Sequence, residues 1–417
     1  MYEVGNLGLA FGTALTRSGI FRVTESIVME ALTHPNINAR FGATDSYVSE
    51  VQLARYDRSV NGRLGERRLS VWDSSSSLEE SINLVDRLMA AEEASAAARL
   101  RAELGLLNRM ARRRSLAGAM DVYHSMRQPL AARDRVTARV RVATIYDMVP
   151  TLYPELTEAR FVAFHDALLC SIDIERDWVM CFSECTKHDI ARLTPIPADR
   201  VVVVPLAASP QIFRPEPDEL RLKSVLDRYG IADGRCVVSL STLEPRKNLS
   251  RLVEAFSRAT TNPALRDVRL VLVGALGWKS EALEETIRSA RLPTERLVLL
   301  GHVPDEDLSA LLTAVSVFVY PSLYEGFGLP VLEAMQCGAP VITSTTSSLP
   351  EVVGDAAVCV DPTDDDALAQ AMSDVMLDST LAADLRRRGL ERAKTFTWRR
   401  TMDEAAAAYD AMLARNE

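Results

Sequence analysis

The second half of the chain alternates so regularly that few folds can hold it. Short β-branched runs recur at 235–241 ("RCVVSLS"), 268–275, 296–303, 316–322, 339–344 and 356–362. Amphipathic stretches separate them. In "LSRLVEAFSRA" (249–259), Leu252, Val253 and Phe256 fall at helical spacing, and "DEDLSALLTAV" (305–315) has the same character. Apolar strand runs joined by amphipathic helices predict a parallel sheet covered on both faces, a doubly wound α/β unit. Ligands of such sheets lie at the carboxyl ends of the strands.

The first half repeats the theme less regularly. "SGIFRVTESIVMEAL" reads as a helix with Ile20, Val23, Ile27 and Ala31 on one face. "RVRVATIYD" (139–147), "DWVMCFSEC" (177–185) and "RVVVVPLAAS" (200–209) read as strands. The proline-rich "PQIFRPEPDE" (210–219) reads as a linker. At 417 residues the chain is too long for one ordinary core. The expected organisation is a first domain over 1–209, a second over 210–396 and a closing helix over 397–417, anchored by Trp398. The alanine-, leucine- and arginine-rich stretch 78–115 reads as a helical insertion into the first domain. Its basic end, with Arg109, Arg112, Arg113 and Arg114, is either a solvated face or a contact for an anionic membrane or acceptor.

Composition excludes some classes of function. A net charge of −9 argues against a general nucleic-acid binder. Cys170, Cys181, Cys185, Cys236, Cys337 and Cys359 form no C-x-x-C pair, so they read as reduced thiols, not as a disulfide framework or a zinc site. Nothing resembles a secretion signal or approaches the roughly 20 apolar residues of a membrane span. A cytoplasmic protein is the expectation, with peripheral contact at the inner membrane face through the insertion.

Two stretches carry chemistry. In "STLEPRKNL" (241–249) a strand ends, a proline stiffens the turn, and Asn248 is placed to cap the next helix. Arg246 and Lys247 therefore stand at a strand's carboxyl end beside a helix N-terminus, a position that suits a diphosphate. In "YPSLYEGFGLPVLEAM" (320–335), Gly326 and Gly328 let the backbone turn and expose amides, and Pro330 suits a first helical turn. Glu325 precedes that helix and Glu333 lies inside it, among apolar neighbours. A carboxylate does not bind phosphate, but it accepts two hydrogen bonds from a vicinal diol. The two glutamates thus read as hydroxyl grips on either side of a diphosphate.

These residues resemble a known family. "EGFGLPVLE" resembles the E-x7-E motif of retaining glycosyltransferases of family 4, which have the GT-B fold. "STLEPRKNL", "GHVPDEDLSALL", "FTWRRT" and "TIYDMVPTLYPE" match the family in order and spacing. The resemblance covers most of the chain outside roughly 45–120. It implies two Rossmann-like doubly wound parallel-sheet domains facing a cleft, with the last helix crossing back to the first domain. Arg246 and Lys247 would hold the donor diphosphate, and Glu325 would contact the sugar. Gly326, Phe327, Gly328 and Leu329 would offer amides, and Glu333 would bind the ribose. Val303 is the candidate for reading the base, and Gly19 in "RSGIFR" stands where the family has a glycine loop near the phosphates. The family commonly has a histidine facing the sugar where this chain reads Tyr146 and Asp147, and which of these contacts the sugar stays open. His124, after an earlier strand, either faces the acceptor or is structural.

The implied activity is transfer of a hexosyl group from a nucleotide-diphosphate sugar, with GDP-mannose the first choice, to a saccharide or lipid-linked acceptor. Other nucleotide sugars, a nucleotide-sugar epimerase and a non-catalytic sugar-nucleotide binder remain alternatives. No cofactor is expected. No D-x-D stands where a metal site belongs, so metal independence is expected too.

Overall fold

The computed structural model describes residues 1–5, 7, 19–69, 72–73, 78–89, 98–99, 102–103, 105–107, 112–113, 116–231, 235–290 and 292–416. The first eight strands are β1 (Tyr2–Glu3), β2 (Phe41–Gly42), β3 (Trp72–Asp73), β4 (Arg112–Arg113), β5 (Leu116–Ser125), β6 (Val136–Thr144), β7 (Trp178–Cys181) and β8 (Val201–Val203). Six of them form a sheet in the order β2-β1-β5-β6-β7-β8, with every pairing parallel. The second half supplies β9 (Cys236–Leu240), β10 (Arg269–Val273), β11 (Leu297–Gly301), β12 (Val317–Tyr320), β13 (Val341–Ser344) and β14 (Val358–Val360). They form a second parallel sheet in the order β11-β10-β9-β12-β13-β14.

The β-branched runs explain the two-faced burial. Along β9, Val238 joins one buried cluster with Val271 and Phe318, while the adjacent Val237 points into another with Leu270, Leu272 and Val319. Successive side chains leave opposite faces, so a strand apolar at every position needs cover on both sides. The first of these clusters does not stop at the second sheet. It includes Val140, Trp178 and Met180 of the first sheet and runs on through Phe213. The stretch read as a linker is mostly exposed but contributes Phe213, only 1% exposed, to that core.

Ten helices are used below: α1 (Gly19–Thr33), α2 (Leu78–Met89), α3 (Ala159–Cys170), α4 (Glu184–Leu193), α5 (Leu249–Ala259), α6 (Asp305–Ala314), α7 (Leu329–Gln336), α8 (Leu349–Val353), α9 (Ser379–Ala393) and α10 (Trp398–Arg415). The closing helix α10 packs on the first half. Thr401 donates to the Pro205 carbonyl at 2.8 Å, Asp403 pairs with His34 at 3.0 Å, and Tyr409 lies against Tyr2.

The insertion is helical over α2 and at its described residues 98–99, 102–103 and 105–107, and it differs from the expectation only at its basic end, where β4 pairs antiparallel with β3. Arginine favours a helix intrinsically, but strand pairing with Trp72 and Asp73 overrides that weak preference for Arg112 and Arg113. Arg109 and Arg114 lie outside the described residues. Among the described residues all six cysteines are free thiols, and no helix is long and apolar enough to cross a membrane.

Candidate active site

The carboxyl end of the second sheet holds the expected cations. After β9 the chain makes one tight turn over Pro245–Lys247, and α5 begins two residues later. Asn248 occupies the cap position but does not cap with its side chain. Its backbone is left-handed, with φ of 59°, and its amide donates instead to the carbonyls of Pro321 (3.1 Å) and Pro362 (2.7 Å). That fastens the turn carrying Arg246 and Lys247 to the loop after β12.

Glu325 is the hub of the site. One carboxylate oxygen accepts from Lys247 (2.6 Å), Tyr320 (2.9 Å) and Ser322 (2.6 Å), and the other pairs with Arg246 at 2.8 Å. Arg246 also donates to Glu244 (2.6 Å) and to the Tyr324 carbonyl (2.7 Å). Two cations are thus set against two carboxylates in a nearly closed site. Burial raises the pKa of Glu325, but Arg246 and Lys247 more than offset it and hold the group at about 2. The clamp is not spent by these contacts. Lys247 makes two hydrogen bonds, to Tyr320 and Glu325, and keeps a third donor, while Arg246 keeps part of its five-donor fork.

The glycine turn lies directly beside this hub. A Cβ on Gly326 would collide with the Tyr146 carbonyl and lie 2.8 Å from Asp147 Cβ. Only glycine lets the two halves approach this closely. Gly328 has φ of 107°, which an L side chain rarely adopts, and it starts α7. Leu329 is the first residue of α7, so its amide is among those without an intrahelical partner. Phe327 contributes main chain only, because its ring is buried edge-on against Phe396. Glu333 is 5% exposed, and its carboxyl receives no hydrogen bond from any described residue. Arg22 faces it at 3.6 Å. Burial pushes Glu333 up to about 7 against the opposing pull of Arg22.

Contacts across the cleft are numerous. Ser183 donates to the Gly326 carbonyl at 2.7 Å, and Tyr324 donates to Asp189 at 2.6 Å. Glu351 of α8 accepts from the backbone N–H groups of Glu184 and Cys185 at the start of α4. A carboxylate there complements the partial positive charge of the helix end.

Tyr146 and Asp147 meet the turn from the first half. The Tyr146 ring packs edge-on against Phe182 at 5.1 Å, its hydroxyl lies 3.5 Å from Thr24, and burial raises its pKa to about 12. Asp147 accepts from the Val149 N–H, and its charge acts on Arg246.

Three candidates from the sequence take other positions. His124 is buried beneath α10, with one ring nitrogen 2.6 Å from the Tyr409 hydroxyl and the other 2.8 Å from Thr144. Burial lowers its pKa to about 3, so it is a neutral structural residue and does not face an acceptor. The Val303 side chain is 3% exposed in the main core, so only its main chain could meet a base. Gly19 opens α1 with nothing within 4 Å of the point where a Cβ would stand, so packing there does not require glycine. Residues 8–18, which precede it, lie outside the described residues.

Sequence reasoning passed over Glu244, Tyr320, Ser322 and Arg22. Glu244 stands two positions from Arg246 in "LEPRK", and that adjacency was a usable signal. Nothing local marked Arg22 as a partner of Glu333.

Comparison with known proteins agrees with this architecture. Residues 227–392 match the family model described as glycosyl transferases group 1. The O-antigen chain mannosyltransferase B of Escherichia coli is 36% identical over 269 residues, covering 64% of this chain and 69% of that enzyme. The serotype-specific mannosyltransferase WbdA of E. coli is 31% identical over 281 residues, a match that spans only 34% of that protein. Among solved structures, Anabaena HepE with UDP and glucose has a TM-score of 0.62 at 16% identity, covering 95% of this chain and 97% of HepE. WaaG, a glycosyltransferase of lipopolysaccharide biosynthesis, has a TM-score of 0.62 at 14% identity, with the same coverage. The chain belongs to the group 1 glycosyltransferases, and its fold is the two-sheet GT-B arrangement.

Proposed function

We propose that this enzyme transfers mannose from GDP-mannose to a saccharide or lipid-linked acceptor, with retention of configuration and without a metal ion. The observation that carries this reading is Glu325 held ionised between Arg246 and Lys247, beside the Gly326–Gly328 turn and the start of α7. A sugar diphosphate laid along that turn meets two cations and free amides on its phosphate side and carboxylates on its hydroxyl sides. The mannosyltransferase relatives support the choice of sugar.

The reaction breaks the bond between the anomeric carbon and the diphosphate oxygen. It forms a bond from that carbon to an acceptor oxygen on the same face, and the acceptor's proton passes to the departing phosphate. Arg246 and Lys247 take up the charge that develops on the leaving group, and the turn fixes the sugar for attack. These fixed charges supply the neutralisation that a metal gives elsewhere.

The test is transfer from GDP-mannose, UDP-glucose and UDP-N-acetylglucosamine, each with and without EDTA, with the product's anomeric configuration read by NMR. The expected result is transfer from GDP-mannose, insensitive to EDTA, with an α-linked product. Strict dependence on added Mn²⁺ would overturn metal independence, a β-linked product would overturn retention, and preference for a UDP-sugar would overturn the donor.

A further inference from the structure

Arg22 is the least expected member of the cleft. It projects from α1 in the first half, yet the described groups its guanidinium meets belong to the linker or the second half. Its guanidinium lies over the Phe213 ring at 5.6 Å, one terminal nitrogen bonds Asp305 at the start of α6, and the other faces Glu333 of α7 at 3.6 Å. A carboxylate buried as deeply as Glu333 costs several kcal/mol to keep charged without a partner. Arg22 is the only cation facing it among the described residues.

We propose that Arg22 is a positioning residue that aims Glu333 at the ribose diol of the nucleotide, making nucleotide affinity depend on closure of the two halves. The proposal rests on the assignment of Glu333 to the ribose. A carboxylate must be ionised and correctly turned to accept from both hydroxyls of a diol. Arg22 supplies the charge that favours ionisation, and its anchors on Asp305 and Phe213 fix where that charge sits. Because Arg22 comes from the first half, an open cleft would carry it away from Glu333. A nucleotide held by the second half would then meet a carboxyl that no cation holds in place.

The other charges around α7 are engaged elsewhere. Asp305 opposes ionisation of Glu333, and the Cys337 thiol lies one turn along the same helix. From α8, Glu351 turns to α4. From α9, Arg386 bonds the carbonyls of Gly338 and Val315, Arg388 that of Asp355, and Arg392 those of Val352 and Glu351. From the linker, Arg214 bonds the Gln211 carbonyl.

The experiment is calorimetric titration of the full chain with GDP and with UDP between pH 6 and 9, following the tighter of the two. Comparing each variant with the unsubstituted protein at the same pH cancels titration of the nucleotide. Arg22→Gln is expected to weaken binding about tenfold at pH 6.5 and less than about twofold at pH 9, because deprotonation of Glu333 no longer needs help there. Arg22→Lys keeps a cation and is expected within about threefold, again only below neutral pH. If the Gln variant fails to fold, that confined loss in the Lys variant carries the test. Adding Arg22→Gln to Glu333→Gln should cost nothing more. Equal weakening at every pH, or additive losses in the double variant, would overturn the proposal. Unchanged affinity in Glu333→Gln would instead overturn the ribose assignment, whatever Arg22 does.

Discussion

Both sheets are six-stranded and parallel, yet a carboxyl at the end of one strand behaves opposite to a carboxyl beyond the end of another. Glu325, in the loop after β12, is surrounded by Arg246, Lys247 and two hydroxyls, and its pKa falls to about 2. Glu3, the last residue of β1, is fully buried. One of its oxygens accepts from the backbone of Gly5 (3.0 Å) and Thr44 (3.4 Å), and the other has no partner among the described residues. Burial first and Asp45 second push its pKa up to about 8. The neighbours, not the fold, set the charge. The second half offers fixed ions to a charged ligand, whereas the first half presents an acid that keeps its proton at neutral pH.

The strongest way to break that contrast is to remove the cations. Lys247→Ala and Arg246→Ala are each expected to lower transfer at least about 100-fold, the scale of losing a preorganised charge at a leaving group. Near-normal turnover in the Lys247 variant, measured at saturating donor, would end the clamp assignment.

A smaller effect is expected where the halves meet. Gly326→Ala sets a methyl against the Tyr146 carbonyl and should hold the cleft open. We expect about a tenfold loss of kcat/KM and a larger radius of gyration in solution scattering. An unchanged radius with unchanged activity would show that the contact is not needed for closure.

The smallest effect concerns stability. Glu3 binds its proton more tightly in the folded chain than at its ordinary value of 4.5, so folding loses stability as pH rises from about 4.5 to about 8. Glu325 has the opposite sign. Its contribution is present above its ordinary 4.5 and is lost as pH falls toward about 2. Glu3→Gln keeps the accepting oxygen and removes the ionisation. Its Tm should exceed that of the unsubstituted chain by a few degrees at pH 8 and match it at pH 5. Parallel Tm curves across that range would remove Glu3 from the account.

Much of the second half was legible because its signals are contiguous. β9 and β12 are unbroken β-branched runs, and "LEPRKN" and "EGFGLPVLE" each carry their functional groups within a few positions. What could not be read was long-range or depended on which face is covered. His124 lies in a strand whose sequence gives no hint that α10 will roof it. Arg22 and Glu333 meet only because two sheets close together. The propensity of Arg112 and Arg113 for helix was real but weak, and pairing with β3 outweighed it. Gly19 was singled out by the family resemblance alone, and the residue opens α1 in uncrowded space.

The roof over His124 also bears on how the protein is made. The first sheet's inner surface at Tyr2 and His124 is finished by Tyr409, and Thr401 secures the end of β8 through Pro205. Until residues 398–415 leave the ribosome, the earliest-synthesised half is a sheet with an apolar flank exposed to water. Domains generally fold as units in order of synthesis, but this half gains its cover only once α10 emerges, which lengthens the time chaperones can reach it.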